Sequence, residues 1–148
     1  HEIKIKANEI GFDKIGIAEV GPIKNAKEKL ETWILNGKHA SMDWVEKRKN
    51  ERGDIFKYFP KAVSLISVGM NYYTGYAQSD LNSNFKFSNY AWGDDYHDVL
   101  KTRLKILLEW IKKASTEING IVCVDTSPVM EKFGPRRLGW AGKENIPI

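Results

Sequence analysis

Along the chain, stretches with apolar residues at helical spacing alternate with short β-branched runs, the pattern of a mixed α/β layer fold. Ile3, Ala7 and Ile10 mark a first helix that stops at Gly11, and KIGIAEV, Lys14 to Val20, reads as the strand after it. From Asn25 to Asn36 the residues Ala26, Leu30, Trp33 and Ile34 share one helical face. Asn25 with Glu28 offers a capping box there, and Gly37 a stop. Ser41 is placed to cap a further helix carrying Met42 and Trp44. VSLISV, Val63 to Val68, predicts a buried strand, and the polar stretch from Thr74 to Tyr90 a long loop.

The strongest helical signal runs from Asp95 to Ala114. Leu100, Leu104, Leu107, Leu108 and Ile111 form its apolar stripe, while Lys101, Arg103, Lys105, Glu109 and Lys112 are expected to face water. GIVCVD, Gly120 to Asp125, predicts a third strand ended by Pro128. The expected architecture is therefore a mixed sheet of short strands flanked by helices, built as a single domain over residues 1 to 148.

Composition narrows the function classes. With 148 residues, 28% charged and 42% apolar, the chain can bury a real core and is far from the signature of disorder. No apolar run reaches the about 18 to 20 residues of a membrane span, and HEIKIKANEIGF lacks the core of a secretory signal, so a cytoplasmic protein without a membrane partner is expected. As the chain begins at His1 without an initiator Met, a tag remnant or a trimmed native start is expected there. A single cysteine, Cys123, allows no internal disulfide and no all-cysteine metal site, and His1, His39 and His97 are scattered without ligand spacing, so no metal site is expected. The net charge of +4 suits a polyanion such as RNA, although a solvated basic surface accounts for it as well.

Few residues stand out as candidates for chemistry. Asp125 closes an apolar run and opens a Pro-containing loop, where α/β proteins place ligands, but capping the turn is what an Asp does at most strand ends. Asp94 and Asp95 suit the N-terminus of the helix that follows. Gly139, Trp140, Ala141, Gly142 and Lys143 form a glycine-bearing turn with a Lys able to meet a phosphate or an amide-rich ligand. Its spacing is not that of a P-loop. Lys47, Arg48, Lys49 and Arg52 lie near Trp44, a combination found both in RNA-binding surfaces and on ordinary solvated helices.

Taken together and in order, these segments resemble the epoxyqueuosine reductases. GFDKIGIAEV, SMDWVEKR with Arg52 and Pro60, and VSLISVGMNYY are similar to that family's opening blocks. YAWGDDYHDVLKTRL, VDTSPVMEK and LGWAGKENIPI are the more specific matches. The resemblance implies a nitroreductase-like, reductive-dehalogenase-like cobalamin-binding core. It also implies reduction of the epoxide of epoxyqueuosine to queuosine at the tRNA wobble position. Asp125 matches the family's proposed proton donor, and Arg52, Ser88, His97, Lys143 and Ile146 match positions at or near those lining cobalamin. Two four-iron four-sulfur clusters belong to the family but find no cysteine ligands in this chain, which is expected to be an N-terminal cobalamin and substrate domain, inactive alone. The KFGPRRL connection is shorter than the family's, and Pro135 interrupts the helix expected there. The resemblance further implies tRNA, at its anticodon region, as partner, and a monomer is expected. The alternative is a corrinoid- or RNA-binding module without catalysis.

Overall fold

The computed structural model describes residues 1–21, 25–73, 75–77, 85–125, 127–130 and 138. The chain divides into two compact units, one made of His1–Ile15 with Val68–Val124 and the other of Gly16–Ser67 with Asp125–Ile148.

In the first unit, helix α1 spans Glu2–Ile10 and ends where Gly11 turns to φ 100, a left-handed conformation that glycine adopts without a Cβ penalty. The turn delivers Phe12, 2% exposed, into a core with Ala7 and Leu107. Ile3, Ile10, Ile15, Val68, Met70, Leu100, Leu104 and Ile111 close around it. Burying a side chain of this size contributes about 1.5–3 kcal/mol. Leu107 comes from helix α6, Tyr96–Lys112, whose stripe lies where the sequence pattern puts it.

Arg103 departs from that pattern. Instead of facing water it is half-buried, and its Nη1 donates to the Gly11 carbonyl at 3.0 Å and lies 3.0 Å from Met70 Sδ. A long stem and a fixed fork of donors let Arg reach a helix's C-terminal carbonyl from a position that charge alone would place in solvent.

In the second unit, helix α2, Ala26–Leu35, buries Ala26, Leu30 and Ile34. Leu30 and Ile34 pack with Val45 of helix α3, Asp43–Lys47, and with Trp33 and Met130 at the edge. Helices α4, Lys49–Gly53, and α5, Ile55–Tyr58, follow, and α2 packs on α4. Gly53 sits against the Lys27 side chain, where an added Cβ would stand 3.0 Å from Cγ. The capping expectations at Asn25 and Ser41 are corrected. Asn25 takes φ 63 and makes no side-chain cap bond, and Met42 holds the N-cap position of α3. A left-handed residue cannot offer the extended geometry from which an N-cap side chain reaches back to the helix.

Strands β1, Lys14–Glu19, and β2, Ser64–Gly69, pair with each other. Asp13 N–H donates to Gly69 O and Val20 N–H to Val63 O, both at 3.0 Å, so the pair is antiparallel. Among the described residues this two-stranded sheet replaces the expected mixed sheet, and Gly120 to Asp125 forms no strand. β-branched residues favour extended backbone, but a strand exists only where a partner edge meets its N–H and C=O groups. The coarse class, helices with a small sheet, is α+β. No helix among the described residues is long and apolar enough to cross a membrane.

Candidate functional site

The segment from Phe87 to His97 is built from local bonds that converge on an imidazole. Ser88 is exposed, and its carbonyl accepts from Ala91 N–H at 2.9 Å to start a 3-10 turn over Asn89–Ala91. Trp92, half-buried, ties the turn back by donating its indole N–H to Phe87 O at 3.1 Å. Asp95 then caps α6, its Oδ1 accepting from His97 N–H at 2.8 Å. The same oxygen lies 2.8 Å from His97 Nδ1. Tyr96 stacks on the His97 ring with centroids 4.0 Å apart, and Tyr90 meets Tyr96 edge-on at 5.8 Å.

This arrangement has an electrostatic signature. The backbone N–H of His97, then its imidazole, hold the Asp95 carboxyl below the usual carboxylate range, with Lys101 adding a smaller charge effect. Ser88 and His97, matched separately in sequence, thus belong to one segment joined by two tyrosines. The link that sequence reasoning misses is Asp95 to the imidazole. Its signal is the Asp-x-His spacing at a helix start, where a cap residue and the side chain two positions on can meet.

Arg52 and Asp125 belong to the other unit. Arg52, half-buried on α4, holds its guanidinium 4.7 Å from the Trp44 ring centroid, a cation–π contact. The neighbouring Arg48 combines an ion pair to Glu51 at 2.9 Å with a place 5.8 Å from the Tyr58 ring centroid. Part of the basic run is therefore engaged by its own aromatics and carboxylate. Glu51 is held below the usual carboxylate range, first by a backbone hydrogen bond and then by Arg48. Asp125 is exposed with φ 42, in the left-handed region that Asp tolerates better than most residues. Beyond it Val129 N–H donates to Ser127 O at 2.8 Å, and Pro128 is buried. Lys143, Ile146 and the KFGPRRL connection lie outside the described residues.

The comparisons with known proteins converge on one group. The family model described as epoxyqueuosine reductase QueG, DUF1730, matches residues 52–126, a span that contains Arg52, Ser88, His97 and Asp125. The chain belongs to the epoxyqueuosine reductase family.

A curated epoxyqueuosine reductase of Atelocyanobacterium thalassa is 40% identical over 151 residues, covering 99% of this chain and 48% of the relative. One of Synechocystis is 41% identical over 133 residues, covering 87% of this chain and 45% of the relative. The solved epoxyqueuosine reductase of Streptococcus thermophilus superposes with a TM-score of 0.74 at 27% identity, over 87% of this chain and 35% of that one. The chain thus spans about half the length of the curated relatives it matches.

Proposed function

We propose that this chain is the cobalamin- and substrate-binding part of an oxidoreductase that reduces epoxyqueuosine to queuosine in tRNA, within a nitroreductase-like core. The observation that carries the reading is the family match over residues 52–126, together with relatives about 40% identical across nearly the whole chain. The donor set suits a corrinoid, whose rim is lined with carboxamides. Ser88 offers a hydroxyl and His97 an imidazole held by Asp95, while Arg52 enters by resemblance alone. Lys143 and Ile146 complete the set by resemblance. When bound, the corrinoid supplies the reducing electrons, which the family draws from two four-iron four-sulfur clusters held outside this chain.

Asp125 is the proton donor in this reading. An epoxide oxygen departs as water when two electrons and two protons are supplied, and a carboxylic acid can give one of those protons at its Oδ atom, the other coming from solvent. In this reading the bound nucleotide brings its epoxide oxygen within hydrogen-bond reach of the exposed Asp125 carboxyl. The partner is tRNA at its anticodon region, in the cytoplasm, engaged by a monomer.

The test is spectroscopic and then chemical. Cob(II)alamin added to the full-length protein is expected to change its visible absorption if the protein binds it. The reduced holoprotein is expected to convert epoxyqueuosine in tRNA to queuosine, read by mass spectrometry of digested nucleosides. A protein that leaves the cobalamin spectrum and the modified nucleoside unchanged would sink the proposal.

A further inference from the structure

Two cation–π contacts tie the short helices of the second unit into one surface. Arg52 of α4 lies 4.7 Å from the Trp44 ring centroid on α3. Arg48, between those helices, pairs with Glu51 at 2.9 Å and lies 5.8 Å from the Tyr58 ring centroid on α5. Helices of five, five and four residues would not hold by themselves, so these contacts help to fix them. The carboxylates of the stretch are engaged within the fold as well. Glu51 holds Arg48, Asp54 caps α5 by accepting from Phe56 N–H at 3.0 Å, and Glu46 stands 3.8 Å from His39 Nε2. The lysines behave differently. Lys47, Lys49 and Lys57 are exposed, and none of them forms an ion pair among the described residues. Lys57 is near enough to Glu51 to favour its ionised form, as Arg48 does, so α5 brings a third lysine toward the α3–α4 junction that carries the other two. Beside them Trp44 is 48% exposed, although tryptophan is highly buried on average.

We infer that this face of α3, α4 and α5 docks RNA, with Lys47, Lys49 and Lys57 meeting backbone phosphates and Trp44 stacking on an unpaired base. The division of labour among the cations carries the inference. The arginines and carboxylates set the frame, and the lysines are left as point charges that a row of phosphates can meet. The open indole selects within the polyanions, because every nucleobase has a π-face to stack on it, whereas an acidic peptide offers charge without such a face at each step. The inference rests on the proposed function for which RNA this is, tRNA at its anticodon arm, and goes beyond it by assigning the surface.

The test is fluorescence anisotropy of a labelled anticodon stem-loop RNA titrated with full-length protein between about 50 and 200 mM salt. A variant with Lys47→Gln, Lys49→Gln and Lys57→Gln together is expected to bind about tenfold or more weakly. Its plot of log affinity against log salt is expected to be shallower by about 2 to 3, since each phosphate contact contributes about 0.7 to 0.9. Trp44→Leu is expected to bind about fivefold or more weakly at an unchanged salt slope. Should Trp44→Leu fail to fold in a thermal melt, the lysine variant still decides. The control replaces Lys4, Lys105 and Lys113, exposed lysines of the first unit, by Gln. Equal weakening by the control overturns the inference, because overall charge alone would then account for binding. So does polyglutamate that displaces the stem-loop as well as unlabelled RNA does. A lysine variant that binds like wild type overturns the surface while wild-type conversion of epoxyqueuosine leaves the functional reading standing. Wild-type protein that binds RNA through these lysines but converts no epoxyqueuosine defeats the functional reading and leaves the surface standing.

Discussion

Arg103 reaches across 92 positions of sequence to bond the carbonyl of Gly11, the residue that ends α1. Its cation thereby sits at a helix C-terminus, where the carbonyls left without intrahelical partners favour positive charge. The same guanidinium lies where a Cβ on Gly11 would stand, 2.6 Å from Nη1. Gly11→Ala therefore meets two costs, a left-handed backbone and displacement of Arg103. A loss of about 1–2 kcal/mol is expected from the backbone alone. Arg103→Met keeps the stem's packing and removes the charged donor, with an expected loss of about 1.5–3 kcal/mol. Urea unfolding of both variants checks this, and a Gly11→Ala protein as stable as wild type would refute the strain argument.

Each unit has its own buried cluster, so each carries its own packing prediction. Leu107→Ala in the first and Leu30→Ala in the second remove side chains that are 3% exposed, and each is expected to cost about 2–5 kcal/mol. Leu35→Ala is the control. Leu35 is 87% exposed at the end of α2, and its removal is expected to change stability by less than about 0.5 kcal/mol. Equal losses at Leu35 and Leu30 in a denaturant titration would count against the cluster assignment.

These residues also show what is legible in the sequence. Leu100, Leu104, Leu107 and Ile111 announce α6, a helix of 17 residues, because their spacing keeps to the helical period for longer than an ordinary strand lasts. Helices α4 and α5 escape the pattern, since KNERG and IFKY are too short to display a period. GIVCVD has strand composition without a strand, because pairing depends on a neighbour that composition does not specify. At the site, Asp95 is readable as a cap but not as the partner of His97. A cap follows from position, whereas the second bond depends on the imidazole's rotamer.

Acid is expected to act on the start of α6. The His97 backbone N–H, its ring and Lys101 favour the ionised Asp95 carboxyl in the folded chain, so its pKa there lies below the value of about 3.9 that an unfolded chain gives an Asp. Asp95 therefore stabilises the fold fully above that unfolded value, and the contribution disappears as pH falls through the lower, folded one. The carboxylate is exposed, so the effect is small and screened by salt. Comparing wild type with Asp95→Ser by thermal melts between about pH 6 and pH 2 isolates it. Wild type is expected to lose more stability than the variant below about pH 4, and parallel curves would show that the cap does not titrate in this way.

Asp125 offers the sharpest contrast between a chemical and a merely structural role, because its backbone and its carboxyl make separable demands. Its φ of 42 calls for a residue at ease in the left-handed region, and Asn meets that need as well as Asp does. Asp125→Asn is therefore expected to leave the melting temperature nearly unchanged. The amide has no acidic proton for the departing epoxide oxygen, so in the reduced, cobalamin-loaded full-length protein the single-turnover rate is expected to fall by about 10² to 10⁴. That corresponds to a barrier higher by roughly 3 to 5 kcal/mol. Asp125→Ala removes both properties, and is expected to add about 1–2 kcal/mol of instability to a comparable loss of rate. If Asp125 only shapes the turn, the order reverses: Asn turns over at the wild-type rate per folded molecule, and Ala fails only in proportion to its lost stability. Rates and melts measured on the same preparations decide between the two, and full activity in Asp125→Asn ends the assignment of this residue as the acid.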